Sequence, residues 1–331
     1  MGLVERENAT ILNAALWKIA EKFTDGFAKS MEDEGIKNAK IYLSQNDGTL
    51  MTMEYARRYP ILTVACGPTN SIRGASYLSK LANAIVIDVG GTTTDIGVIQ
   101  NEFPRESSVA VTIGGVRTNF RMPDVMSIGL GGGSIVREKP DGTVTVGPDS
   151  VGFELTEKAM VFGGNVLTAT DIAVRLGMAD IGDASLVKDV PAELAEKALD
   201  AIRVLAEDAI DAMKLSSDDS DVILVGGGSV ILPEELVGAA QTIKPEHFGC
   251  ANAIGSAISK VSGTLETLIN YDEIPRDQAL ADAKNAAIEM AVEAGAKRDT
   301  VEIIDVEDVP LQYYPGNTNR VKVKAAGELI S

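Results

Sequence analysis

Histidine is almost missing from this 331-residue chain, where His247 stands alone. That excludes multi-histidine metal centres and any mechanism that needs two imidazoles. Cysteine is nearly as scarce. Cys66 and Cys250 lie far apart with no CxxC spacing, so neither a disulfide framework nor a structural zinc site is expected, and a reducing, cytoplasmic setting fits. Long hydrophobic runs are absent as well. Stretches such as Ala84-Ile85-Val86-Ile87 are far too short to span a bilayer, and the first residues are charged rather than apolar, so no secretory signal is visible. Positive charge is in deficit: 30 Lys and Arg against 48 Asp and Glu leave a net charge of -18. Such a chain repels phosphodiester backbones and anionic lipid, so neither nucleic acid nor membrane is an expected partner. ATP stays compatible, because backbone N–H groups and a metal ion can build a nucleotide site inside a negative protein.

What is present is a globular α/β pattern. Apolar residues at 45% and charged residues at 24% allow a substantial core. Leu12, Leu16, Ile19 and Phe23 recur at helical spacing in an opening helix over about Arg6 to Glu34, ahead of a strand at Lys40 to Leu43. A strand is expected at Ile61 to Ala65, running into a tight turn at Cys66-Gly-Pro-Thr-Asn-Ser71, with Ser71 capping the next helix. Buried-strand runs follow at Ala84 to Val89 and Asp95 to Gln100, and further antiparallel strands at Val109–Ile113 and Val116–Arg121. A hairpin is expected over Ile135 to Val146, turning at Pro140-Asp-Gly142. Pro191 to Met213 reads as an amphipathic helix and Asp221 to Val225 as a strand. Helices are expected at about Ala251–Ile269 and Pro275–Ala294, and short strands at Val301–Asp305 and Arg320–Lys324. The expected organisation is an N-terminal helix and strand over residues 1–60, then a nucleotide-binding lobe over residues 61–331 with a helical insertion near 167–219.

Two constellations carry chemistry. In Asp88-Val-Gly-Gly-Thr-Thr-Thr-Asp95 a strand delivers a carboxylate to a bend, where Gly90 and Gly91 let backbone approach a phosphate. Thr92, Thr93 and Thr94 add hydroxyls and N–H donors, and Asp95 opens the return strand. An aspartate placed there holds Mg2+ or polarises the attacking nucleophile, which makes Asp88 and Asp95 the catalytic candidates and Asp88 the metal ligand. The bland alternative is an ordinary hairpin with a Gly-Gly bend. In Val222-Ile-Leu-Val-Gly226-Gly227-Gly228-Ser229 a buried strand ends in glycines that leave room for adenine and ribose, with a helix expected from Pro233. Taken alone, that run is a tightly packed strand-to-helix turn. Gly129 to Ser134 either lines a cleft or makes a structural turn, and Asp171 reads as a helix N-terminal residue or a cleft carboxylate. Cys66 reads as a small buried apolar residue or a reactive thiol, and His247 as a helix-start or packing residue, with a catalytic role as the lesser alternative.

The pair resembles the second phosphate motif and the adenosine motif of the actin-like ATPase and sugar-kinase superfamily. Arg6-Glu-Asn-Ala-Thr-Ile-Leu-Asn-Ala-Ala-Leu16, Cys66-Gly-Pro-Thr-Asn-Ser-Ile-Arg-Gly-Ala75, Asp88 to Asp95 and Ile128-Gly-Leu-Gly-Gly-Gly-Ser-Ile135 resemble, in that order, the hydantoinase A/5-oxoprolinase family. The resemblance implies an actin-like, ribonuclease H-like lobe with a mixed sheet flanked by helices. It also implies hydrolysis of a cyclic amide, of hydantoin or 5-oxoproline type, driven by ATP with Mg2+. Its alternatives are a kinase for a small carboxylate or sugar, and a non-catalytic ATP-binding subunit of a carboxylase-like complex. Family members carry an earlier DxGGTxTD-like motif, and this chain has no second copy. The chain is therefore expected to be a C-terminal part, lacking an N-terminal lobe or partner subunit, weak in turnover alone, with an opening helix whose apolar face favours homodimerisation. Met126-Ser127 stand where longer relatives tend to have a His-Thr pair.

Overall fold

The computed structural model describes residues 3–100, 103–105, 107, 111–118, 122–214, 216–311 and 314–330. Contacts divide the chain into two compact units, one of residues 67–109 and 121–257, the other of residues 1–66, 110–120 and 258–331. Among the described residues no helix is long and apolar enough to cross a membrane.

The first of these units is built on a six-stranded sheet. Its order is Ala239–Ile243, Ser220–Val225, Ala84–Val89, Thr94–Gln100 and Phe103–Pro104, with Val125–Ile128 also paired to Thr94–Gln100. Ala84–Val89 and Thr94–Gln100 form an antiparallel hairpin, and Ser220–Val225 runs parallel to Ala84–Val89. The central strands read as continuous apolar runs because both faces are covered. Ile85, Ile87 and Val89 pack in the cluster that holds the buried stripe of the helix Ala192–Met213, from Ala195 through Ile202 to Met213. Ala84 and Val86 turn the other way, towards Ile72 and Ala75 of the helix Cys66–Ser79. That helix crosses Ala251–Ala257 backbone to backbone. A Cβ on Gly74 would lie 1.9 Å from the Ala251 carbonyl oxygen, and one on Gly255 1.8 Å from that of Asn70.

Asp171 is fully buried in this unit. Its carboxylate accepts hydrogen bonds from the Val161 and Thr168 N–H groups, both at 2.7 Å, and closes a capping box with Thr168 at the start of the helix Ala169–Arg175. Its role is that of a helix N-terminal residue, as one of the two sequence expectations had it.

The other unit carries a five-stranded sheet ordered Tyr42–Ser44, Leu50–Thr52, Val261–Asn270, Thr318–Gly327 and Glu302–Pro310. The helix Arg276–Glu293 lays Ala279, Ala283, Ala287 and Ala291 on it. These small side chains permit close approach: a Cβ on Gly263 would sit 2.3 Å from the Ala291 nitrogen. The opening helix, Leu3–Asp33, leaves Trp17, Ile19 and Phe23 exposed.

On the same sheet Lys324 is buried. Its ammonium donates to the Asp47 carboxylate and to Thr49 Oγ1 at 3.1 Å, while Gln45 Nε2 donates to Ser262 Oγ at 3.0 Å. Burial pushes the Lys324 pKa from 10.5 down to about 7. Desolvation is the cause of that shift, although the ammonium keeps the partly solvated Asp47 as its partner. Between about pH 7 and 10 the unfolded chain therefore holds the extra proton, and stability rises as pH rises through that window. Urea midpoints of the wild type should increase from about pH 7 to about pH 9, and Lys324→Met should flatten that rise.

Several expected elements are corrected. Ile61 to Ala65 is not a strand: Pro60–Thr63 forms a 3-10 helix with proline in its first turn, and the next helix begins at Cys66 itself. Ser71 accordingly lies inside that helix and does not cap it. The helix expected at Ala251–Ile269 stops at Ala257, and Val261–Asn270 is a strand, in keeping with Val261, Thr264, Thr267 and Ile269. No helix starts at Pro233; a 3-10 turn, Gly227–Ile231, precedes it. The strands expected at Val109–Ile113 and Val116–Arg121 are seen as Thr112–Ile113 and Val116–Arg117, with residues 109, 110 and 119–121 outside the described residues.

Candidate functional site

The bend between Val89 and Thr94 gathers the candidate residues at one end of the six-stranded sheet. Strand register lines up Val225, Asp88, Asp95 and Ser127 across neighbouring strands. Paired residues in a sheet share a face, so the two carboxylates and the serine project to the same side. The Ser127 hydroxyl donates to Asp95. Burial pushes the Asp88 pKa up, a hydrogen bond from Ser71 opposes that shift, and the charge of Asp95 adds to it.

The two glycine motifs meet at Asp88. Gly226 has a φ of +82°, and a Cβ there would lie 2.3 Å from Asp88 Oδ1 and 2.4 Å from the Val89 carbonyl oxygen. A Cβ on Gly228 would lie 2.3 Å from the Gly90 carbonyl oxygen. Only glycine fits such an approach of backbone to backbone. Gly227 is exposed, whereas Ser229 is fully buried, and its Oγ has no hydrogen-bond partner among the described residues.

Within the bend the candidates divide. The Gly90 N–H donates to the Thr93 carbonyl at 2.9 Å, and the Thr94 hydroxyl donates inward to the Leu130 carbonyl at 2.7 Å. Both groups hold the bend in shape. Gly91, Thr92 and Thr93 are exposed at its tip. Beneath them lies the Gly131–Ser134 segment, all of it buried. Gly132 N–H donates to the Gly90 carbonyl at 3.0 Å and Gly133 N–H to the Gly91 carbonyl at 2.7 Å, while a Cβ on Gly131 would lie 2.6 Å from the Thr92 nitrogen. The glycine run is the floor under the bend. The sequence left it as a cleft lining or a structural turn, and only the fold shows what it packs against.

Ser71 and Asn252 were not foreseen here. Asn252 Nδ2 donates to Ser71 Oγ at 3.1 Å and to the Gly67 carbonyl at 2.8 Å. Cys66 is half-buried and Cys250 exposed, and neither forms a disulfide. His247 is exposed in a left-handed turn at φ +65°, beside Glu246. Among the described residues no cluster of three or more His, Cys, Asp and Glu side chains forms a metal cage. A cavity of about 270 Å³, lined by Asn83, Ile99, Met213 and Asp221 among others, lies at the opposite end of the strands from the bend.

A family model described as hydantoinase/oxoprolinase matches residues 6–180, more than half of the chain. An uncharacterized protein of Methanocaldococcus jannaschii is 24% identical over 98% of this chain and 53% of its own length. Caprolactamase subunit alpha of Pseudomonas jessenii is 26% identical over 60% of the chain and 28% of its own length. Among solved structures, nucleotide-free acetone carboxylase covers 100% of this chain and 58% of its own, with a TM-score of 0.73 at 16% identity. The ATP-dependent caprolactamase from Pseudomonas jessenii covers 98% of this chain and 58% of its own, at a TM-score of 0.70 and 18% identity. Against the Methanocaldococcus relative and these two structures, the chain spans little more than half of the partner's length. At these identities the structures establish the fold alone, an actin-like one with mixed sheets and flanking helices. With most of its first 180 residues matched, this chain is a member of the hydantoinase/oxoprolinase family.

Proposed function

We propose that the bend at Asp88 to Asp95 and the Gly226–Ser229 turn bind ATP, and that the protein containing this chain uses it to activate a cyclic amide for hydrolysis. The observation that carries this reading is the contact between the two motifs, where the Gly226 backbone abuts the Asp88 carboxylate. A strand, a phosphate-approach loop and a glycine surface free of side chains thereby occupy one place. The exposed tip, Gly91 to Thr93, faces the phosphates, and the glycines at 226–228 take the nucleoside.

Asp88 and Asp95 suit Mg2+, which keeps several waters and needs only one or two carboxylates beside substrate phosphates. The ion would neutralise charge developing on the transferring phosphoryl group. The chain's own part is orientation. Asp88 is held between Ser71 and Gly226, Asp95 is held by Ser127, and the bend is fixed from below by the Gly132 and Gly133 N–H groups. Phosphate transfer to the amide oxygen would make the ring carbon susceptible to water. A partner subunit or further domain completing the site is part of the proposal, since relatives are named as subunits: caprolactamase subunit alpha and acetophenone carboxylase gamma subunit of Aromatoleum aromaticum, the latter 27% identical over 54% of this chain.

Product analysis tests the reading. With Mg-ATP and a panel of lactams, hydantoins and 5-oxoproline, the complete assembly should release a ring-opened acid together with inorganic phosphate. Accumulation of a phosphorylated small molecule would instead indicate a kinase, and binding of ATP without turnover of any cyclic amide would indicate a non-catalytic subunit.

A further inference from the structure

The helices Cys66–Ser79 and Ala251–Ala257 cross beside Asp88, and their contact has a directional hydrogen-bond chain running through it. Asn252 uses its Nδ2 hydrogens on two acceptors, the Gly67 carbonyl at 2.8 Å and Ser71 Oγ at 3.1 Å. Both donations fix which way the amide faces, because an oxygen in that place could donate to neither. Ser71, fully buried, receives that hydrogen on its oxygen, so its single hydroxyl hydrogen is left to donate to Asp88. The close crossing at Gly74 and Gly255 keeps the two helices at the separation this chain requires. On its other side, Asp88 Oδ1 meets the Gly226 backbone.

From this geometry we infer that Ser71 and Asn252 are positioning residues, which hold the Asp88 carboxylate in one orientation towards the bound nucleotide. In this arrangement Asn252 acts on Ser71, and Ser71 acts on Asp88. The arrangement makes the direction of the chain, and not merely the presence of a hydroxyl, the quantity that matters. The inference rests on the ATP reading above, and the experiment separates the two.

Asn252→Asp provides the discriminating change. It keeps the shape of the side chain but presents an acceptor where a donor stood. The Ser71 hydroxyl then donates to the introduced carboxylate and is withdrawn from Asp88. Asn252→Asp should therefore behave like Ser71→Ala, although the serine is intact. In steady-state Mg-ATP hydrolysis by the complete assembly, both variants should lose kcat by about 10- to 100-fold with the ATP KM changed less than about threefold. Ser71→Cys, of nearly the same size but a weak donor, should lose kcat similarly. Combined in one chain, Ser71→Ala and Asn252→Asp should cost no more than either alone, since each breaks the same chain. Melting temperatures measured alongside separate this loss from unfolding. Wild-type kcat in either Ser71→Ala or Asn252→Asp, in a preparation where Asp88→Asn is inactive, overturns the positioning role. So does a double variant whose loss is the product of the two. Full turnover by Asp88→Asn overturns the ATP reading itself, a distinct result.

Discussion

Asp88→Asn should lower Mg-ATP turnover by about 1000-fold or more while leaving the protein folded. The substitution keeps the shape that fills the space between Ser71 and Gly226, and the amide oxygen still accepts from the Ser71 hydroxyl. What it removes is the negative charge, which the proposal needs for metal and nucleophile. The stability side has the opposite sign. Burial raises the Asp88 pKa above its ordinary 3.8, so between the unfolded and folded values the native state holds the extra proton. Stability contributed by Asp88 is thus lost as pH rises through that window, and at neutral pH the ionised group is a cost to folding. Asn carries no such cost. The melting temperature of Asp88→Asn at about pH 7 should equal or exceed that of the wild type, while phosphate release disappears. Loss of activity together with a fall in melting temperature would mean that Asp88 is there for structure.

Gly226→Ala should do the reverse, damaging fold and function together. At φ +82° and ψ 146°, a region essentially reserved for glycine, an added Cβ strains the backbone by about 1–3 kcal/mol before any contact is counted. The same Cβ would then overlap Asp88 Oδ1 at 2.3 Å and the Val89 carbonyl oxygen at 2.4 Å, and the second of these is backbone that cannot swing aside. Backbone must shift, at the point where the bend meets the glycine turn. We expect a destabilisation of about 3 kcal/mol or more, read as a lowered urea midpoint, and loss of nucleotide binding in whatever remains folded. Gly227→Ala is the control for stability alone, because a Cβ there meets no protein atom within 4 Å.

Much of the unit that holds the bend was legible in the chain itself. Ala84–Val89, Thr94–Gln100 and Ser220–Val225 are short runs rich in β-branched residues, and the first and last are closed by glycine, a pattern that favours strands. The Ala192–Met213 helix declared itself by its alanine and isoleucine spacing. Where local pattern is ambiguous, tertiary contacts decided. Pro60-Ile-Leu-Thr is as apolar as a strand and forms a 3-10 turn, and the alanine-rich start of Ala251–Ile269 conceals a switch to strand after Ala257. Nothing local says that residues 258–331 pack with the first 66 residues, since that contact joins segments far apart in sequence. The candidate site follows the same rule. Its motif residues were visible as glycines and carboxylates between strands, but the inward turn of Thr94, the floor at Gly131–Ser134 and the Asn252–Ser71 chain exist only once helices and strands have met.

The central claim is that the Asp88–Asp95 bend and the Gly226–Ser229 turn form one nucleotide site. Titrating the isotope-labelled chain with Mg-ADP, and following backbone amide resonances, tests that most directly, because it registers weak binding and locates it. Shifts should concentrate on Gly91, Thr92 and Thr93, on Gly131 to Gly133 beneath them, and on Gly226 to Gly228, and should vanish in Gly226→Ala. Saturating Mg-ADP that leaves those resonances unmoved, or that moves a set elsewhere in the chain, would contradict the account.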